Sequence, residues 1–307
     1  MTEIRIINYK NYGKCVELDN GKLKIVATLD CGPRIISAGL CGMNNLMFND
    51  DDRIFSEDVS SAFGENERWY IYGGHRMWVS PENMPLSYYP DNCPIEYEFV
   101  ENGVILKPAT QRVNNLRHAM ELRMAPDEAK LDVIHYLTNE SSEDVRGAIW
   151  ALSVMDAGGV AVIPQPQEDT GLLGNRILAL WPYTNMADSR IYWGTDHIAL
   201  RQDSEIADKF KLGINNTEGW IAYFNHGQAL VKSYSPDHVN GEYPDFGVST
   251  EVFTNGIFLE AETLSPLFVM KPGDKISHTE HWQIFGGANK PDFCAESISR
   301  EVSKLGR

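Results

Sequence analysis

The chain has 307 residues, 43% of them hydrophobic, and a formal net charge of −16 at neutral pH. That apolar fraction supplies a sizeable core and excludes a disordered or collagen-like chain. The acidic excess is unsuited to nucleic acid or to anionic membrane surfaces, and it leaves a neutral small molecule as the easiest partner to accommodate.

The N-terminus, MTEIRIINYKNYGK, mixes charges into every few residues and lacks an apolar signal core. Apolar runs such as Gly158–Ile163 are strand-sized, far short of a membrane-spanning helix. Cysteines 15, 31, 41, 93 and 294 are odd in number and show no CxxC spacing. A disulfide framework and a structural zinc site are therefore not expected, and a reducing cytoplasm is.

Along the chain, Asn-Gly pairs recur at Asn20-Gly21, Asn102-Gly103, Asn240-Gly241 and Asn255-Gly256. Those at 20, 102 and 255 sit between short alternating segments, the pattern of a hairpin with a type I′ turn. Further strands are expected at Leu131–Thr138, Ala148–Met155, Val160–Pro164, Ile198–Gln202, Trp220–Phe224 and Ala229–Tyr234. Short strands with polar turns over the whole length predict an antiparallel all-β protein, a large β-sandwich spanning residues 1–307 as one domain. The segments Asn49–Trp69, Gln165–Asn175 and Asp237–Gly247 read as polar surface loops, which on such scaffolds often border binding sites. A short C-terminal helix is expected where Asp292 can cap and Cys294, Ile298, Val302 and Leu305 recur near helical spacing.

Two stretches carry chemistry. In Asn255–Phe285, Glu260 and Glu262 alternate with Leu259, Ala261 and Thr263, which places both carboxylates on one sheet face about 7 Å apart. Carboxylates held on a rigid strand suit proton transfer on a bound polyol. In Tyr72-Gly-Gly-His75-Arg-Met-Trp78-Val-Ser-Pro-Glu82, His75 is a proton donor or acceptor near neutral pH. Arg76 offers a planar donor fork, and Trp78 a platform for a sugar ring. His135 shares a face with Leu131, Val133 and Leu137 and reads as a core or cleft-wall residue. His278, Glu280 and His281 cannot all converge on one ion, because adjacent strand residues point to opposite faces. Trp181, beside Pro182, is the better cleft candidate among the remaining tryptophans, and Glu251 and Asn255 are candidate hydroxyl partners. No GxGxxG, Walker loop or G-x-S-x-G elbow is present, so no cofactor and no metal are expected.

The opening Gly32-Pro-Arg-Ile35-Ile-Ser with Asn44-Asn-Leu, and the later Phe258-Leu-Glu260-Ala-Glu-Thr-Leu-Ser-Pro266 followed by Lys271-Pro-Gly273, resemble the aldose 1-epimerases, or galactose mutarotases, and their relatives. The similarity covers roughly residues 20 to 285 and is closest to a branch with a GGHRMW motif. It implies a large antiparallel sandwich with a carbohydrate cleft on one concave sheet. There a base takes the proton of the anomeric hydroxyl and an acid protonates the ring oxygen. Glu260 matches the base, His75 the histidine at the ring oxygen, and Arg76 a sugar-binding donor. Trp78, Glu82, Trp150, Glu262 and Asn255 complete the expected sugar contacts. The pattern departs from the family at Gly147-Ala-Ile-Trp150-Ala-Leu-Ser153, where Trp150 occupies the strand expected to bear a second histidine. The acid is then His75 or is missing.

The expected function is an isomerase that interconverts sugar anomers, in a cytoplasmic monomer or homodimer whose partner is a small-molecule sugar. A non-catalytic sugar-binding protein is the alternative. Cleavage of a glycosidic bond by Glu260 with Glu262 or Glu82 ranks third, because two residues on one strand approach from the same side.

Overall fold

The computed structural model describes residues 2–307. Strands from the whole length of the chain build two large antiparallel sheets. The larger runs, in spatial order, through Glu3–Asn8, Lys14–Asp19, Leu23–Thr28, Ile35–Leu40, Gly74–Ser80, Val145–Met155, Leu259–Leu264, Thr250–Thr254, Phe210–Ile214 and Leu178–Leu180. Phe268–Met270 adds to it by pairing with the start of Val145–Met155. The second runs through Ile191–Trp193, His197–Arg201, Val160–Pro164, Trp220–Asn225, Gln228–Ser233, Lys275–Gly286, Lys130–Asn139, Leu116–Met124, Gly103–Lys107 and Glu96–Val100.

Alternation within each strand stacks the layers. Inward-facing Leu18, Ile25, Phe210, Leu212, Val252 and Leu259 of the larger sheet meet Leu122, Val133, Ile163, Leu230 and Trp282 of the second in one dry core. On the outer face of the second sheet, Val162, Ala222, Phe224 and Val231 are covered by Ile298, Val302 and Leu305. These three come from the C-terminal helix Ala295–Ser303 and its end, where sequence periodicity places them, but Cys294 rather than Asp292 occupies the N-cap position. The opposite face of the larger sheet is lined by the aromatic residues Trp69, Trp78 and Trp150, with Phe63 and Tyr88 from the short helices Ser60–Phe63 and Leu86–Tyr88 packed against them, and this face forms the cleft.

The Asn-Gly pairs at 20, 102 and 255 join Lys14–Asp19 to Leu23–Thr28, Glu96–Val100 to Gly103–Lys107, and Thr250–Thr254 to Leu259–Leu264. Asn102 supplies the positive φ its turn requires. Asn240-Gly241 lies outside any hairpin. Among the described residues, no helix is long and apolar enough to cross a membrane.

Candidate functional site

The strand Leu259–Leu264 divides its side chains by parity. Leu259 and Ala261 enter the core between the sheets, while Glu260 and Glu262 face the cleft. Register extends that division sideways. Glu262 lies opposite Leu152 on one side and Glu251 on the other, and Leu152 in turn lies opposite Arg76. One row across four strands thus reads Arg76, Leu152, Glu262, Glu251. Trp150 and Trp78 are paired one position along, and Lys211 lies opposite Phe253, the partner of Glu260.

The cleft measures about 610 Å³ and is walled by Trp69, Trp78, Trp150, Trp181, Tyr88 and Tyr183. Trp78 packs edge-on to Trp150 at 5.5 Å between ring centres, and Tyr88 edge-on to Trp69 at 5.0 Å. Arg76 stacks over Trp78 at 4.4 Å and donates through Nη2 to Glu260 Oε1 at 3.3 Å. Its Nε and Nη1 are buried without a hydrogen-bond partner. A buried guanidinium with unused donors, at the floor of an open cleft, is arranged to meet acceptors of a ligand. Burial raises the Glu260 carboxyl above the ordinary range, while Arg76 pulls it back. The proton affinity of this carboxylate therefore moves toward neutral pH.

Lys211 lines the same cleft, its Nζ 2.7 Å from Glu251 and 3.3 Å from Glu262, stacked between Trp150 and Trp181 at 4.5 and 4.6 Å. Glu262 also accepts from Trp150 Nε1 at 2.6 Å and is fully buried. Burial holds the Glu251 carboxyl well above its usual range even against Lys211. At the rim Glu82 accepts from Tyr88 at 2.6 Å. Asn255 lines the edge of the cleft, but its Oδ1 accepts from the amides of Ile257 and Phe258 and so shapes the turn.

His75 is elsewhere. It is adjacent to Arg76 on one strand, so the alternation that turns Arg76 to the cleft turns His75 into the space between the sheets, where its exposure is 0%. The sequence expectation that paired it with Glu260 across one sugar ring is corrected by this geometry. His75 belongs to a closed network. The carbonyl of His278 can only accept, so His135 donates to it through Nδ1 at 2.9 Å and accepts through Nε2 from His75 Nε2 at 2.7 Å. His75 Nδ1 then accepts from Ser153, 2.8 Å away, whose oxygen accepts from Lys232 at 3.0 Å. Glu280 takes Lys232 at 2.8 Å, Thr263 at 2.6 Å and Trp282 at 2.7 Å. Burial depresses the pKa of His75, His135 and His278, so all three are neutral.

The ring nitrogens of His75 and His135 and the Glu280 carboxylate lie within 4.8 Å of one another, close enough to consider a metal. However, Lys232 already neutralises Glu280 here, and a divalent cation would add two uncompensated charges to a dry interior. His281 points out of this layer and pairs with Asp132, as alternation requires.

No family model matches the sequence, and no curated protein is found similar to it. Solved structures do match in shape. A TPR-domain containing protein from Parabacteroides distasonis is 13% identical over 88% of this chain, with a TM-score of 0.61; this chain spans 47% of that protein's length. A galactose mutarotase-like protein from Lactobacillus casei is 8% identical over 88% of this chain and 100% of that one, with a TM-score of 0.57. A Klebsiella pneumoniae protein provisionally named an aldose 1-epimerase is 13% identical over 99% of this chain and 86% of that one, at 0.59. The chain has the galactose mutarotase-like fold.

Within this mutarotase-like sandwich the structure brings together Glu260, Arg76, Trp78, Trp150 and Glu82, places Glu262 just beneath them, and leaves His75 out. Sequence reasoning missed Lys211, although it named Glu262 as a sugar contact and Glu251 as a candidate hydroxyl partner. That these two carboxylates meet was within reach of a count from the Asn255-Gly256 turn, since pairing Thr254 with Leu259 forces Glu251 opposite Glu262. Nothing in Phe-Lys211-Leu-Gly-Ile distinguishes a functional lysine from a solvated one.

Proposed function

We propose that the cleft binds a sugar and that the protein interconverts its anomers, with Glu260 as the general base. One observation carries this reading: a Glu260 carboxylate beside an Arg76 with two unused buried donors, on the floor of a cleft walled by tryptophans. Glu260 takes the proton of the anomeric hydroxyl. The ring C–O bond opens to the aldehyde as a proton reaches the ring oxygen, and closure after rotation gives the other anomer. Arg76 orients hydroxyls, and the tryptophan faces stack on the apolar face of the ring. The partner is a small-molecule sugar, and the five unpaired cysteines support a reducing, cytoplasmic setting. The test is anomer exchange by NMR saturation transfer over a panel of free and 6-phosphorylated aldoses, with exchange above buffer expected for at least one.

A second reading is favoured by one specific fact: among the described residues no histidine lines the cleft. In that case the protein recognises a sugar without turning it over, and calorimetry shows binding while exchange stays at the buffer rate. Glycosidic cleavage by Glu260 with Glu262 is not proposed, because Glu262 is sealed beneath Trp150 at 0% exposure and reaches neither water nor a leaving group.

A further inference from the structure

The larger sheet splits beside the cleft. Gly74–Ser80 pairs with Val145–Met155 along its whole length, but on its other side it meets Ile35–Leu40 at the single pair Ile35–His75. Past His75, no strand of the described residues covers that edge. An uncovered strand edge presents backbone N–H and C=O groups that have no ladder partner. The turn that follows Gly74–Ser80 borders the opening through Pro81, Met84 and Leu86.

The split leaves a second hollow of about 570 Å³, close in size to the cleft at about 610 Å³. Both fall in the range of small-molecule sites. Trp78 and Glu82 line both, so the two hollows meet at one buried ring and one exposed carboxylate.

Part of the second hollow is built by the other sheet. On Leu116–Met124 the residues Leu116, His118 and Met120 share parity and point between the sheets, where Leu116 and Met120 are buried in apolar clusters. His118 lines the hollow instead, and its Nε2 is buried without a hydrogen-bond partner. Burial depresses the His118 pKa to about 4, so the ring is neutral, with one nitrogen a donor and the other an acceptor. A buried ring nitrogen left unpaired is costly, and a hydroxyl, which both donates and accepts, satisfies it in either tautomer. Val79 and Val145 add apolar wall, and Asn83 stands exposed at the mouth. Apolar wall beside a few convergent polar atoms is the surface a sugar ring needs.

The two hollows thus carry the same mark. Arg76 brings unpaired buried donors to one, and His118 brings an unpaired buried nitrogen to the other. One sugar ring against Arg76 leaves His118 unsatisfied, whereas two linked rings crossing at Trp78 and Glu82 reach both. Charge narrows the ligand further. Glu82 at the junction disfavours an anionic sugar, and Arg146, the one cation lining the second hollow, is held by Glu242 at 2.8 Å.

We propose that this second hollow is a subsite for the next unit of a neutral reducing oligosaccharide, whose reducing-end ring lies in the cleft against Glu260. The linkage uses a hydroxyl other than the anomeric one, so the anomeric carbon stays free in the cleft. The inference rests on the cleft binding a sugar, in either reading above, and names the class of that sugar.

The experiment compares glucose, galactose and xylose with maltose, cellobiose, β-1,4-galactobiose and xylobiose, by calorimetry and by NMR saturation transfer. Wild type is expected to bind at least one disaccharide about tenfold tighter than the free sugar at its reducing end, about 1.4 kcal/mol. His118→Ala should bring that ratio to within about twofold of one, and Asn83→Ala should lower it about two- to threefold. Asn83 is exposed, so its variant reports on the subsite even if His118→Ala does not fold. The imidazole ¹⁵N signals of His118 should shift on addition of that disaccharide and stay in place with the free sugar. Binding of free sugars with no disaccharide preference above twofold overturns the subsite and leaves the reading of the cleft standing. A tenfold preference unchanged in both variants, with His118 signals unmoved, overturns its placement in this hollow. Absence of binding and exchange with every sugar overturns the subsite and the reading of the cleft together.

Discussion

Two polar clusters share two strands of the larger sheet, Gly74–Ser80 and Leu259–Leu264, one residue out of step, and they are finished differently. Between the sheets, His75, Ser153 and Thr263 join His135, His278, Glu280 and Lys232 in a network whose buried donors and acceptors find partners and whose one cation meets one anion. In the cleft, Arg76, Glu260 and Glu262 join Lys211 and Glu251, and several buried atoms have no partner. A saturated network is scaffold, because every proton in it is already committed. An unsaturated one is incomplete until something binds. Residue type alone misleads here: the histidines, the usual proton-transfer groups, are in the sealed cluster.

The contrast can be broken at several points. The largest effect is expected from Glu280→Gln, which leaves Lys232 as an uncompensated charge in the interior. It should cost about 3–5 kcal/mol in denaturant unfolding, and adding Lys232→Met should recover part of that loss. A cost below about 1 kcal/mol would mean the interior network is not the tightly closed unit described. In the cleft, Arg76→Met removes the unused donors, so it should weaken sugar binding by about 1.5–3 kcal/mol in calorimetry. Unaltered affinity would show that the unused Arg76 donors do not face the ligand.

The interior histidines also set a pH dependence. Burial keeps each neutral in the fold, His278 down to a pKa of about 3, whereas the unfolded chain protonates near 6.5. Below 6.5 the unfolded state binds more protons, so stability falls as pH drops, by about 1.4 kcal/mol per pH unit for each histidine involved. Above 6.5 these groups contribute no slope. Urea midpoints measured from about pH 7 to about pH 5 should therefore decline, and a flat profile would contradict neutral buried imidazoles. The smallest expected effect is that of Trp181→Ala, a half-buried wall residue. Loss of its stacking should weaken sugar binding by about 0.5–1.5 kcal/mol, and no change would remove Trp181 from the binding face.

Much of this arrangement is legible in the chain. Hairpins at Asn20, Asn102 and Asn255, the strand alternation of Glu260 with Leu259 and Ala261, and the divergence of His281 from His278 and Glu280 follow from period-two geometry alone. The same rule says that His75 and Arg76 cannot share a face. What it leaves open is which of the two faces the cleft. That depends on pairing Gly74–Ser80 with Val145–Met155, strands about seventy residues apart with no turn between them to count from. Lys211 was hidden for a related reason, since its ion pairs are with Glu251 and Glu262, which long-range register alone brings beside it. The segment Asn49–Trp69 does border the site, through Phe55, Glu57 and Trp69, but where its composition announced only a surface loop it builds the strand Ser56–Asp58, the short helix Ser60–Phe63 and the start of the strand Arg68–Tyr70.

The most direct measurement is the anomer-exchange rate per folded molecule for wild type, Glu260→Gln and His75→Gln, side by side on the best sugar of the panel. If the cleft carries the chemistry and the interior network only supports it, Glu260→Gln falls by about 10²–10⁴ and His75→Gln stays within a few fold. The reverse pattern, with His75→Gln inactive though folded and Glu260→Gln at wild-type rate, would contradict the assignment of function to the cleft.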